Sequence, residues 1–298
     1  MLRNTQDVLN VVGNNLQGLP GHIFDVLSVS KPNTIPEAIN LSKIISKLSP
    51  LVGNLIEYKM VDYLNSIKEL SELGCWQRQD PGFPDTVFIS SIKPVPGFEI
   101  KAWFPLATEI TARFKDSQSL FLNNQTNVLI ISWLPEFVFY GRPKIIGICN
   151  VSGKSIAEAR DKHYHKPPYY LVMEPEDTSS RTANLQQTNT NGYVFQDSDK
   201  VLQDAIKFMN SLSGFTPEYQ VNKEYQYYIQ KLFDKYKYRL DTNYAKIDRI
   251  QHHEIEKFKD STLETIFNGL KIKEWAKIIG SDDKKIQSEA FKRYLNID

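Results

Sequence analysis

Residues 127–135, NVLIISWLP, are an almost unbroken apolar run, and they constrain the fold more than any other stretch of the chain. A strand wet on one face alternates polar and apolar residues. A short run that does not alternate marks a strand covered on both faces. KIIGICNV at 144–151 reads the same way. Shorter strands are expected at TVFISS, starting at Thr86, at FEIKAWF, starting at Phe98, and at YYLVMEP, 169–175. The turn IKPVPG separates the first two, and QRQDPGFPD ahead of them is turn-rich.

Helical spacing surrounds these strands. Residues 1–34 read as one short helix and loops. Ile35, Ile39, Ile44, Ile45 and Leu48 recur at near-helical intervals, with Pro36 suited to a first turn. A longer helix is expected over LVGNLIEYKMVDYLNSIKELSELG, closed by Gly74, with Val52, Ile56, Tyr63, Ile67 and Leu70 as its buried stripe. Glu57 borders that stripe, so its carboxylate either reaches outward or is aimed into a polar site beneath the helix. LATEITARFKDSQSLFLNN reads as a helix or a helix plus loop, and Ser155 to Lys162 as a short polar helix. From Ser198 onward the expectation is mostly helix: DKVLQDAIKFMNSL, the Tyr- and Lys-rich segment Glu218 to Ile250, HEIEKFKDSTLETIFNGL and AFKRYL. Strands among helices followed by a helical third predict an α/β (α+β) core with an appended helical C-terminal part. The linear division is 1–49, a helical and loop segment, 50–197, the core, and 198–298, the helical region, with one continuous domain also open.

A chain of 298 residues accommodates one large domain or two smaller ones. Its net charge of +1 supplies no general field, so a nucleic-acid partner must be met by a local basic patch. Two cysteines, Cys75 and Cys149, are too few for a disulfide framework or a closed zinc site, and read as small core residues. No run approaches the roughly 18–20 apolar residues of a membrane helix, and no signal-peptide core is present at the start. A soluble, cytoplasmic protein is expected.

Chemistry concentrates between Pro84 and Lys101, PDTVFISSIKPVPGFEIK. On the second strand Phe98, Ile100 and Ala102 share one face and Glu99 and Lys101 the other. Asp85 opens the preceding strand, opposite Glu99 or somewhat beyond it. Two carboxylates and a main-chain carbonyl suit Mg²⁺, which keeps some of its waters and bridges to a phosphate oxygen. Such an ion acidifies bound water and neutralises charge on the reacting phosphate. Lys101 would orient the attacking water, its pKa lowered by desolvation and by the metal. Asp80 is a second candidate for the first carboxylate, and Asp85 is preferred because it abuts the strand.

Pro84-Asp85, Glu99-Ile100-Lys101, the upstream Glu57 in GNLIEYK and the run AWFPLATEITARFKDSQ together resemble the PD-(D/E)xK nuclease superfamily, in particular type II restriction endonucleases. The resemblance covers about residues 50–135. It implies a mixed β-sheet flanked by helices, Mg²⁺-dependent phosphodiester hydrolysis of double-stranded DNA at a short specific site, and a homodimer. It further implies Asp85 and Glu99 as metal ligands, Lys101 as the catalytic lysine, and Glu57 assisting from its helix.

Thr108, Arg113, Lys115 and Ser117 follow the catalytic strand and are candidates for DNA phosphates. Lys154, Arg160, Lys162, His163, His165 and Lys166 form a second basic stretch. Residues 176–192 are polar and amide-rich, the character of a long functional loop. There Arg181, Asn184, Gln186, Gln187 and Asn189 are candidates for reading bases, since amides pair with adenine and Arg with guanine in the major groove. Gly153-Lys154-Ser155 is not a phosphate-binding loop, because the required earlier glycine is Ile148. His163, His165, His252 and His253 lack a third ligand and read as surface residues.

Overall fold

The structure is a computed structural model and describes residues 4–79, 82–106, 109–114, 118–164, 171–175, 193–195, 199–216, 223–236, 238–241 and 246–298. Its helices are α1 (Thr5–Leu16), α2 (Ile35–Ile44), α3 (Ser49–Asn65), α4 (Gly153–Tyr164), α5 (Asp199–Asn210), α6 (Lys223–Tyr236), α7 (His253–Glu264), α8 (Ile272–Gly280) and α9 (Lys284–Leu295). The strands of the main sheet are β1 (Gly74–Arg78), β2 (Thr86–Ser90), β3 (Gly97–Trp103), β4 (Thr126–Pro135) and β5 (Pro143–Ser152). Beyond them lie β6 (Leu171–Pro175), β7 (Tyr193–Phe195), β8 (Tyr238–Asp241), β9 (Ile266–Phe267) and β10 (Leu270–Lys271).

The chain gathers into two compact units. The first comprises Met1–Ala112, Phe121–Ser155 and His252–Asp298, the second Arg113–Leu120 and Ile156–Gln251. These units differ from the linear division at 49 and 197. The last third of the chain is shared between them, because α7, α8 and α9 pack on the elements of the first unit.

In the first unit the five strands run in the order β1-β2-β3-β4-β5. All neighbours are antiparallel except β3 and β4, which are parallel. The mixed sheet flanked by helices that the resemblance implies is therefore present, with β3 at its centre. Val128, Leu129, Ile130 and Ile131 are each 0% exposed, as the unbroken run on β4 requires. One face of the sheet meets α3. Gly53 permits that approach, since a Cβ there would come 3.3 Å from the Cβ of Ala102. Trp76, Phe88 and Phe98 extend the same face with ring centroids 5.1 and 5.3 Å apart. The other face meets α7, where Phe258 packs on Trp103 at 5.8 Å and the Thr262 and Ser132 hydroxyls lie 3.4 Å apart.

Each sheet edge is covered in part, which shortens the template open to a foreign strand. At β5 the segment 21–24 pairs with the edge: Gly21 N–H donates to Ile145 O at 2.8 Å and Phe24 N–H to Pro143 O at 2.9 Å. At β1 the Asn65 side chain takes the place of a strand. Its Nδ2 donates to Trp76 O at 2.9 Å, and its Oδ1 accepts from Trp76 N–H at 2.7 Å.

Several expectations are corrected. The helix expected to reach Gly74 stops at Asn65, and Gly74 instead opens β1 within a segment read as helix end and turn. Along α3 the buried positions are Val52, Gly53, Ile56, Met60 and Leu64, while Tyr63 is half-buried and donates to Asn15 O at 2.8 Å. The stretch after Trp103 contains, among its described residues, only a short 3-10 turn at Gln118–Phe121. The segment Glu218 to Ile250 holds strand β8 after α6. HEIEKFKDSTLETIFNGL is helical only to Glu264, then turns through Asn268 (φ 45°) and Gly269 (φ 84°) into the hairpin β9–β10. An Asn-Gly pair with positive φ at both residues is the favoured chemistry of a two-residue hairpin turn. Cys75 is exposed on β1, whereas Cys149 is buried as expected.

The second unit carries a three-stranded sheet, β7-β6-β8, with β6 parallel to β7 and antiparallel to β8. Its small core joins Ala205 and Met209 of α5 to Tyr225, Ile229 and Leu232 of α6. No helix among the described residues is long and apolar enough to cross a membrane.

Candidate active site

The ladder between β2 and β3 pairs Thr86 with Phe98 and Val87 with Gly97. Continuing that register sets Asp85 opposite Glu99, which resolves the position that the turn left open. At this point side chains take over the ladder. Asp85 N–H donates to Glu99 Oε2 at 3.2 Å, and Ile100 N–H donates to Asp85 Oδ2 at 2.6 Å. Two carboxylates thereby become part of the strand pairing, so their positions are set by backbone rather than by free rotamers.

Lys101 closes the constellation. Its Nζ lies 2.5 Å from Glu99 Oε1 and 3.6 Å from Asp85 Oδ2. The side chains of Lys101, Glu99 and Asp85 are 16%, 11% and 30% exposed. Burial alone lowers the lysine pKa. Glu99 and Asp85, then Glu57, outweigh it and hold the ammonium above its usual range. Two carboxylates facing one cation are the reason.

Glu57 lies one helical turn beyond Gly53 on α3 and is half-buried. Burial is the main reason its pKa rises to about 7, with the negative charge of Asp85 next. Lys101 and Arg78 pull the other way, and Glu99 adds to the rise. Arg78 was not singled out from the sequence because β1 was read as turn. Its register opposite Thr86 places it on the sheet face that meets α3.

Gly97 is the structural key to the first carboxylate. A Cβ there would sit 2.5 Å from Pro84 Cγ, and 3.3 Å from both Thr126 Oγ1 and Thr86 O. Pro84 is a rigid ring, so it cannot swing aside. Gly97→Ala is expected to push Pro84 and Asp85 off β3, with a loss of about 1–3 kcal/mol of stability from overpacking. A urea unfolding titration reads this directly, and an unchanged midpoint would show that the contact is soft.

Of the other sequence candidates, Arg113 is exposed in the second unit, where its backbone bridges Lys246. Thr108, Lys115, Ser117, Arg181, Asn184, Gln186, Gln187 and Asn189 lie outside the described residues, as does Asp80. Arg160 is removed from the phosphate-contact set. It is 0% exposed, and its guanidinium donates to Phe114 O at 3.0 Å. His252 is also not a plain surface residue. It is half-buried with Nε2 3.1 Å from Ser155 Oγ, and burial lowers its pKa.

Among the described residues no three His, Cys, Asp or Glu side chains form a metal-holding cluster by themselves. Mg²⁺ does not require one, since it keeps several waters and takes one or two carboxylates. Asp85 and Glu99 already converge on a single cation, the Lys101 ammonium, and their hard oxygens suit Mg²⁺. The residues present fit the ion. Comparison with family models, curated proteins and solved structures finds no match to this chain.

Proposed function

We propose that this chain is a type II restriction endonuclease of the PD-(D/E)xK kind, a homodimer hydrolysing double-stranded DNA at a short specific sequence with Mg²⁺. The observation that carries the reading is the convergence of Asp85, Glu99 and Lys101 at the centre of a mixed sheet. A pair of acids and a lysine on a rigid central strand is a preorganised arrangement for phosphoryl chemistry. Asp85 and Glu99, with a main-chain carbonyl, would hold the Mg²⁺, which when bound neutralises phosphate charge and acidifies water.

Hydrolysis joins a water oxygen to phosphorus and expels a sugar oxygen. Lys101 donates hydrogen bonds that orient the water and offset negative charge gathering on the phosphate. Glu57, its carboxyl pushed up to about 7 chiefly by burial, would hold or release a proton there. The test is digestion of a defined plasmid with Mg²⁺ or Mn²⁺. Discrete fragments from the native chain and none from Asp85→Ala are expected. Nicks without sequence preference would overturn the restriction assignment, and full cleavage by Asp85→Ala would overturn the site.

A further inference from the structure

We infer that the outer face of α6 is a contact surface for the phosphate backbone of duplex DNA, an inference that rests on the nuclease reading for its choice of partner. Along α6, Lys223, Tyr227, Lys231 and Lys235 recur every fourth residue. Four residues return a side chain to nearly the same side of a helix, about 6 Å farther along. The opposite side is committed to the core, where Tyr225, Ile229 and Leu232 pack with α5. The row itself faces outward: Lys223 and Lys235 are exposed, Tyr227 is 58% exposed, and Lys231 is half-buried.

Aromatic rings set the ammonium groups of this row. Lys231 Nζ lies 4.7 Å from the Tyr227 ring centroid. Lys235 Nζ lies 4.0 Å from the ring of Phe208 on α5 and 5.2 Å from Tyr236. Stacked in this way the stems are ordered beforehand while their charges stay at the surface, which reduces the ordering that binding demands. Two carboxylates flank the row and are engaged locally. The Tyr228 hydroxyl donates to Glu224 Oε1 at 3.4 Å, and Gln230 Nε2 donates to Asp234 Oδ1 at 2.9 Å.

With a net charge of only +1 over the whole chain, attraction to a polyanion has to come from such a local line of cations. Regularly spaced lysines suit a polymer of regularly spaced phosphates, and the exposed tyrosine adds a hydroxyl donor to phosphate or sugar.

The experiment is a fluorescence-anisotropy titration of a labelled DNA duplex with the full-length protein in EDTA, where cutting is blocked, across about 50–200 mM salt. Replacing Lys223, Lys231 and Lys235 together by alanine is expected to weaken binding about 10–100-fold at the low-salt end and to flatten the log–log salt slope by about 2–3. Each single replacement should flatten it by about 0.9, and arginine at all three positions should preserve it. The single variants keep the test decisive if the triple variant does not fold. A native slope in the alanine variants overturns the α6 surface and leaves the nuclease reading untouched. No salt-dependent affinity in the native chain overturns both.

Discussion

Replacing Lys101 with alanine is expected to lower Mg²⁺-dependent plasmid cleavage by about 10³-fold, the scale on which one preorganised charge-stabilising donor counts in a transition state. The effect has a second component visible without catalysis. Glu99 sits 2.5 Å from the ammonium and is 11% exposed, so deleting the cation removes a close countercharge from a nearly buried carboxylate beside Asp85. Breaking one partner of a buried pair costs about 3 kcal/mol at the lower end of its range. In EDTA the variant should therefore melt earlier than the native chain. Added Mg²⁺ should restore much of the difference, because two facing carboxylates without their lysine have a stronger demand for a cation. A variant that cleaves normally removes Lys101 from the mechanism. A variant of native stability in EDTA, insensitive to Mg²⁺, shows that the carboxylates do not depend on the ammonium.

Glu57→Gln carries the second large expectation, and it is read as pH dependence. In the folded chain Glu57 keeps its proton up to about pH 7, against an ordinary value of 4.5. Below 4.5 both folded and unfolded chains hold the proton and nothing is lost. As pH rises from there the unfolded chain releases it first, so folded stability falls, and the full cost is in place above about 7. A shift of this size corresponds to on the order of 3 kcal/mol. Glutamine cannot ionise. The variant should match the native chain near pH 4 and exceed it at pH 8, measured by urea unfolding in EDTA. Parallel native and variant curves across this range would place the Glu57 carboxyl in contact with water instead of in the site.

The alternation Glu99-Ile100-Lys101 was readable before any fold was known, since period two puts an acid and a lysine on one face of any strand. The unbroken apolar run at 127–135 announced a covered strand, and β4 is one, whereas at 144–151 buried and half-buried positions alternate, so that strand is covered mainly on one face. What could not be read was the pairing. The turn between β2 and β3 left Asp85 free to fall opposite Glu99 or past it. In the observed register the Pro84 ring sits close over Gly97 on the facing strand. β1 was missed because Gly74-Cys75-Trp76-Gln77-Arg78 lacks a β-branched run and lies between a helical pattern closed by Gly74 and a turn-rich stretch. Its identity as a strand rests on β2 beside it and on the Asn65 amide at its edge. Arg78 was lost with it.

The sequence by itself determined which residues could do phosphate chemistry, because side-chain type and two-residue spacing are local properties. It also determined that the chain would build a covered sheet, because an unbroken apolar strand has no stable wet face. Only the tertiary structure decided that Asp85, Glu99 and Lys101 meet, and that Glu57 is half-buried with a raised pKa. It also decided that Arg160 is buried. Those outcomes depend on strand register, helix approach at Gly53 and burial, all of which arise from contacts between distant residues and have no signature in any single stretch of the chain.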